Sequence, residues 1–377
     1  IMVAQSFGAK QYDRMRHYVA MSIYLSVAFA LVMTIGFSVA NEQILRLMNY
    51  SDEIMPSVKG YMGIIYMGLL VTVAYDALSA FLRALGDSRS PLYFLMISAG
   101  INVVLDIVLI VVMGMGVEGC AYATVIAQAI SALLCFIYIC KKFPILRLKK
   151  TDFQIALKSL GKLLGLGIPM ALQFSITAIG TIIVQGAINI YGENCMAGFS
   201  AAGKLQNIFM TVFVAFGATI ATYVGQNRGA GKMDRVKQGV RCAYLMNAVC
   251  YGIFCPVIWF FARPIMEAFT GNPESIRYGV EYMKIFSCFF FVGGILVVYH
   301  NILRSAGDVT ITVLMGVSEI ITRIGCTFLF TAVFGYYGLW WVSPLTWCCA
   351  MLVGCVRYYS GKWKKKVQLQ RGDSIHG

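Results

Sequence analysis

Ser98, Asn102 and Asp106 recur at every fourth position in an otherwise apolar run, 91–113. That spacing lines up a hydroxyl, an amide and a carboxylate along one stripe of an α-helix. A carboxylate in such a setting is expensive and marks a candidate functional group. With amide and hydroxyl oxygens near it, the carboxylate can coordinate Na⁺, or can hold a proton where desolvation raises its pKa. Thr124, Gln128 and Ser131 give the next apolar run, 119–140, a polar face of its own. The rival reading is a hydrogen-bond network that merely joins two helices.

Further charges lie inside apolar runs. Asp76 stands two turns before Arg83 and could attract a cationic substrate, join the ion site, or serve structure. Glu319 and Arg323 form an i, i+4 pair in the favourable order. Such pairing would hold the glutamate ionised, so the two read mainly as scaffold.

These groups need helices long enough to carry them through a bilayer. Of 377 residues, 59% are apolar and 13% charged, against roughly 25% charged in a soluble domain. Apolar runs of about twenty residues imply membrane spans. Ten complete spans are expected, near 17–40, 60–83, 91–113, 119–140, 166–191, 198–224, 240–262, 279–303, 309–334 and 338–357. Most lysines and arginines fall in alternate loops and in the tail "GKWKKKVQLQR", which places those loops and the C-terminus in the cytoplasm. The net charge of +14 thus fits anionic head groups and needs no nucleic acid. The twelve cysteines form no C-x-x-C pair and read as apolar fillers. With no Ser/His/Asp or metal-ligand cluster in the spans, an enzyme is not expected.

The chain repeats itself. "VAQSFGAKQYDR" from Val3 and "VGQNRGAGKMDR" from Val224 lie 221 residues apart (224 − 3), as do "FLRALGD" at 81–87 and "ILRSAGD" at 302–308. One offset across separated phrases means two homologous halves of an all-α membrane protein. Six spans separate equivalent loops, so the halves form a parallel repeat about an axis along the membrane normal. The divisions are an N-lobe at 1–140, an amphipathic linker at 141–163 with a short interfacial helix, a C-lobe at 164–360, and a basic tail at 361–377. Extended backwards, the offset places Ile1 inside a second span, so one and a half helices are expected upstream. "GQNRGAGK" fails the G-x-x-x-x-G-K-[ST] phosphate-loop pattern. Gly8, Gly229, Gly86 and Gly307 are read instead as loop hinges.

The phrases "AQSFGAK", "LRALGDSRSP", "GIPMALQ", "VGQNRGAG" and "ILRSAGD" resemble those of the multidrug and toxic compound extrusion (MATE) family, and the similarity runs from Ile1 to about Tyr359. The resemblance implies two six-helix lobes forming a V, twelve spans in the full family, and alternating access. It also implies export of amphipathic, often cationic compounds driven by Na⁺ or H⁺, with no other cofactor. Some members place a cation site on an Asn-x-x-x-Asp of the fifth span, a Thr of the sixth and an Asp of the first. Asn102, Asp106 and Thr124 match the first three elements, with Ser98, Gln128 and Asp76 as neighbours for ion or substrate. Other branches use an acid on the seventh span, where this chain has Gln173. The expected partners are a small-molecule substrate and the lipid bilayer of the cell membrane, with the protein a monomer. The alternative is a lipid-linked oligosaccharide flippase. Such a flippase would line its cavity with several cations, whereas few, Lys204 and Arg323 among them, lie within these spans.

Overall fold

The computed structural model describes residues 1–47 and 53–365, and among these it is helical throughout, with no strand. Most of the basic tail, 366–377, lies outside the described residues. The chain divides into two compact units, Met2–Leu163 and Leu164–Gly377, here the N unit and the C unit.

The N unit contains α1 (Met2–Gly8), α2 (Tyr12–Leu47), α3 (Met55–Ala84), α4 (Arg89–Asp106) and α5 (Gly116–Lys142). Helix α4 does not stop at Asp106 but widens into a π-helical turn, Ile107–Val112. The C unit is built from α6 (Leu157–Asn189), whose first turns belong to the N unit, α7 (Glu193–Gly229), α8 (Met233–Glu267), α9 (Pro273–Cys288) and α10 (Phe290–Ser305). It continues with α11 (Val309–Phe334), α12 (Tyr336–Leu339), α13 (Val342–Tyr359) and α14 (Lys362–Lys365). Nine described helices are long and apolar enough to span, or ten if α9 and α10, bent by 55°, count as one.

That bend occurs without proline or glycine in "SCFFF". Phe289 N–H turns to Phe286 O at 3.0 Å. Asn247 of α8, buried, donates from Nδ2 to Phe291 O at 3.0 Å. A broken helix at membrane depth needs such a partner, because lipid offers none.

The repeated phrases close into one kind of turn. Gly86 N–H meets Arg83 O at 3.0 Å and Asp87 N–H meets Leu82 O at 3.0 Å; in the second copy, Gly307 meets Arg304 at 2.8 Å and Asp308 meets Leu303 at 2.9 Å. Both are Schellman ends, with glycine in the left-handed region at φ 97° and 75°. Asp87 then accepts from Ser90 N–H at 3.0 Å and from Ser90 Oγ at 2.7 Å, starting α4. Burial pushes the Asp87 pKa up, but these bonds outweigh it and hold the carboxyl below its ordinary value. Asp308, its counterpart, accepts from Arg357 Nε at 2.7 Å.

The other pair of turns departs from expectation. Gly8 and Gly229 end α1 and α7 with ordinary backbone, and the left-handed residues are Lys10 (φ 59°) and Gly231 (φ 75°). The reversal comes two residues after each glycine, at Lys10 and Gly231, and only the lysine is strained there.

The linker also differs from the expected interfacial helix. It forms two 3₁₀ turns, Pro144–Leu146 and Lys150–Phe153, and α6 starts at Leu157. Buried Asp152 explains why: its Oδ2 accepts from Lys149 N–H at 2.7 Å and stands 3.3 Å from Arg16 Nε of α2. His17 Nε2 lies 3.0 Å from Ser159 Oγ, and Tyr24 meets Phe153 edge-on. Tertiary partners on α2 thus override the local amphipathic pattern.

Candidate functional site

Helices α3, α4 and α5 are laced by the hydroxyls and amides of the polar stripe. Ser98 Oγ donates to Ala127 O at 2.5 Å, and Ser131 Oγ returns to Phe94 O at 3.3 Å. Thr72 of α3 donates to Gln128 Oε1. Ser98 and Gln128 are therefore tied up in holding helices together.

Asn102 and Asp106 are different. Asn102 Nδ2 and Asp106 Oδ1 are buried and have no hydrogen-bond partner among the described residues. Buried polar atoms are nearly always paired, and an unpaired carboxylate oxygen is the costlier of these two and the one a cation or proton would satisfy. The π turn begins at the next residue, Ile107, and such turns concentrate at functional sites. The Cys120 thiol of α5 lies within hydrogen-bonding reach of Asp106. One turn on, Thr124 Oγ1 donates its proton to Cys120 O at 3.0 Å, leaving its lone pairs free. Asp106, Asn102 and Thr124 carry a carboxylate, an amide and a hydroxyl, the donor types that a small cation or a proton takes. Neither Cys120 nor the π turn is flagged by the sequence pattern, since both look like ordinary apolar filling.

Asp76 is on an exposed face of α3 and makes no hydrogen bond or ion pair among the described residues; Arg83 donates to Ser79 instead. The structure does not join Asp76 to the Asp106 group.

In the C unit, the expected Glu319–Arg323 pair is not a direct contact. Each side chain ends on a threonine of α6: Thr177 Oγ1 donates to Glu319 Oε2 at 3.1 Å, and Arg323 Nη1 donates to Thr181 Oγ1 at 3.4 Å. The hydroxyls draw the two side chains across to α6 rather than along α11. Arg304 Nη2 adds a bond to Gln173 Oε1 at 2.6 Å, and Gln185 Nε2 bonds Asn189 Oδ1 at 3.1 Å. Gln173, Thr177, Thr181, Gln185 and Asn189 thus form a polar column with a four-residue period. That period is present in the sequence, but its members are uncharged and do not stand out there as a site.

Two related units of membrane-length helices, one with a buried, unsatisfied carboxylate stripe, define a multi-pass helical membrane protein. A family model described as MatE matches residues 1–108 and 169–329. The chain is 30% identical over 356 residues to "Probable multidrug resistance protein YpnP" of Bacillus subtilis, covering 91% of this chain and 78% of that protein. It is 21% identical to "Multidrug export protein MepA" of Staphylococcus haemolyticus, covering 90% and 75%. A crystal structure of MATE in the bent conformation superposes with a TM-score of 0.91 at 19% identity, over 97% of this chain and 83% of that one. The chain belongs to the MatE family and is a membrane transporter.

Proposed function

We propose that this transporter exports amphipathic, cationic organic compounds from the cytoplasm across the cell membrane, coupled to entry of Na⁺ or H⁺ at Asp106. The observation that carries the reading is the buried Asp106 Oδ1, an acceptor with no hydrogen-bond partner among the described residues. A carboxylate in that position is neutralised by an incoming cation, and the site empties when the carrier turns. Coupling requires ion and substrate to favour different states of the carrier. The relatives' names, a multidrug resistance protein and a multidrug export protein, support the substrate class. The basic loops support a cytoplasmic starting side.

The test is Asp106→Asn in the full-length protein, reconstituted in vesicles. Gradient-driven export of an organic cation is expected to fall to background while substrate binding persists; export at the parent rate would refute the coupling role. Varying external Na⁺ at fixed pH, then pH at fixed Na⁺, identifies the ion.

A further inference from the structure

The repeat offset carries Ser98, Asn102 and Asp106 onto Glu319, Arg323 and Thr327. The same stripe on the same helix of each unit therefore has two chemistries. In the N unit the stripe holds one acid, with an orphaned carboxylate oxygen and an orphaned amide nitrogen. In the C unit it holds an acid and a guanidinium, both more than nine-tenths buried, at 6% and 8% exposure. Neither has an orphaned atom there: Thr177 serves Glu319 and Thr181 serves Arg323.

The backbone is shaped to keep the guanidinium in place. A Cβ on Gly180 would come within 2.8 Å of Arg323 Cδ and 3.1 Å of its Nε. Only glycine there lets the arginine stem lie against α6. Two turns back along α11, Gly316 lies similarly close to Gln173. Three successive contacts, 173/316, 177/319 and 180–181/323, register α6 on α11.

A charge within a membrane must be balanced locally. The C unit does this within its own sequence, whereas the N unit has no cation of its own on the stripe. We infer that Arg323 is a built-in cation on the C-unit stripe, standing in there for the exchangeable coupling ion of the N unit. The C-unit stripe therefore takes no exchangeable ion of its own. This rests on the coupling role of Asp106 and adds what the equivalent stripe of the second unit does.

Removing the arginine charge should turn the C unit into a second ion-responsive site, because Glu319 then lacks its counter-charge. The other groups facing the ladder are Tyr282 of α9, whose hydroxyl donates to Gln206 of α7, and Arg304 of α10 with His300 beside it. From α13, Cys349 faces Cys326 of α11. Of these, His300 is the group whose unperturbed titration overlaps a pH scan, so His300→Gln is included as a control.

The experiment measures the thermal midpoint of the purified full-length protein. Choline chloride is exchanged for NaCl at constant ionic strength, and pH is varied separately between about 5.5 and 8 in choline. Arg323→Gln is expected to gain a cation-dependent rise of about 2 °C or more beyond the parent's. The gain should persist in the Asp106→Asn/Arg323→Gln double variant and vanish in Glu319→Gln/Arg323→Gln. In vesicles, the Hill coefficient of ion-driven export should move from about one towards two. A folded Arg323→Gln protein with the parent's cation response overturns the inference. A parent response that survives Asp106→Asn overturns instead the coupling role of Asp106, and the two failures are thus distinguishable. Should Arg323→Gln not fold, Glu319→Gln provides the converse test, since it leaves Arg323 uncompensated. That variant should gain stability when chloride replaces gluconate, a response absent from the parent; no anion response overturns the inference.

Discussion

Single residues carry the clearest departures from pattern. Lys10 is the only described non-glycine with positive φ, and its repeat partner at that turn is Gly231. The same Schellman bonds close both turns, Lys10 N–H to Phe7 O at 3.0 Å and Gly231 N–H to Arg228 O at 2.9 Å. A side chain in the left-handed region costs about 1 kcal/mol. Lys10→Gly is therefore expected to stabilise the protein by about 0.5–1 kcal/mol, and Gly231→Ala to destabilise it comparably, as read by denaturation in detergent. The sequence points to Gly8 and Gly229 because glycine is the usual marker of a turn. It does not reveal that the left-handed residue is Lys10, two positions beyond the end of α1. Asn102 and Asp106 stand out in the sequence by their four-residue spacing in an apolar run, a spacing they share with Ser98, which holds helices together. Which stripe members stay unpaired depends on Ala127, Thr72 and Cys120, and these lie on neighbouring helices.

Elements are legible where composition is sharp. Apolar runs bounded by "GD", "KK" and glycine clusters mark out where the helices lie, but many helices run five to nine residues beyond the apolar stretch at one end, as α6 and α8 do at their starts. Internal breaks are not, because a bend changes hydrogen bonding without changing residue type. The α9–α10 bend depends on Asn247, which lies more than forty positions away and supplies the missing donor to Phe291 O. Gly294 makes the approach possible: a Cβ there would clash with Asn247 Oδ1. Asn247→Leu should destabilise the protein by about 1–3 kcal/mol, the cost of an unsatisfied buried carbonyl plus displaced packing. A thermal midpoint unchanged from the parent would show that the bend needs no such donor.

At the scale of the whole molecule, the repeat is legible from its separated phrases, and the conformation of the linker is not. Lysines alternating with Phe153, Ile155 and Leu157 suggest a short helix, but Phe153 closes a 3₁₀ turn, α6 begins only at Leu157, and buried Asp152 anchors the segment. The linker is therefore part of the N unit. Asp152→Ala would leave Arg16 without that partner and should free the segment between Phe143 and Ala156. Limited proteolysis should then cut there markedly faster than in the parent, and equal cutting rates would argue that Tyr24 and His17 suffice to hold it.

The π turn has a consequence for the history of the two halves. Gly114 and Gly335, both with positive φ, close equivalent helices and stand 221 residues apart. The wide turn at Ile107–Val112 therefore contains no inserted residue: its counterpart in α11 has the same number of residues at ordinary pitch. Duplication has left two windings of a single length of chain. The broader one arose by substitution alone, and the reverse change needs no deletion.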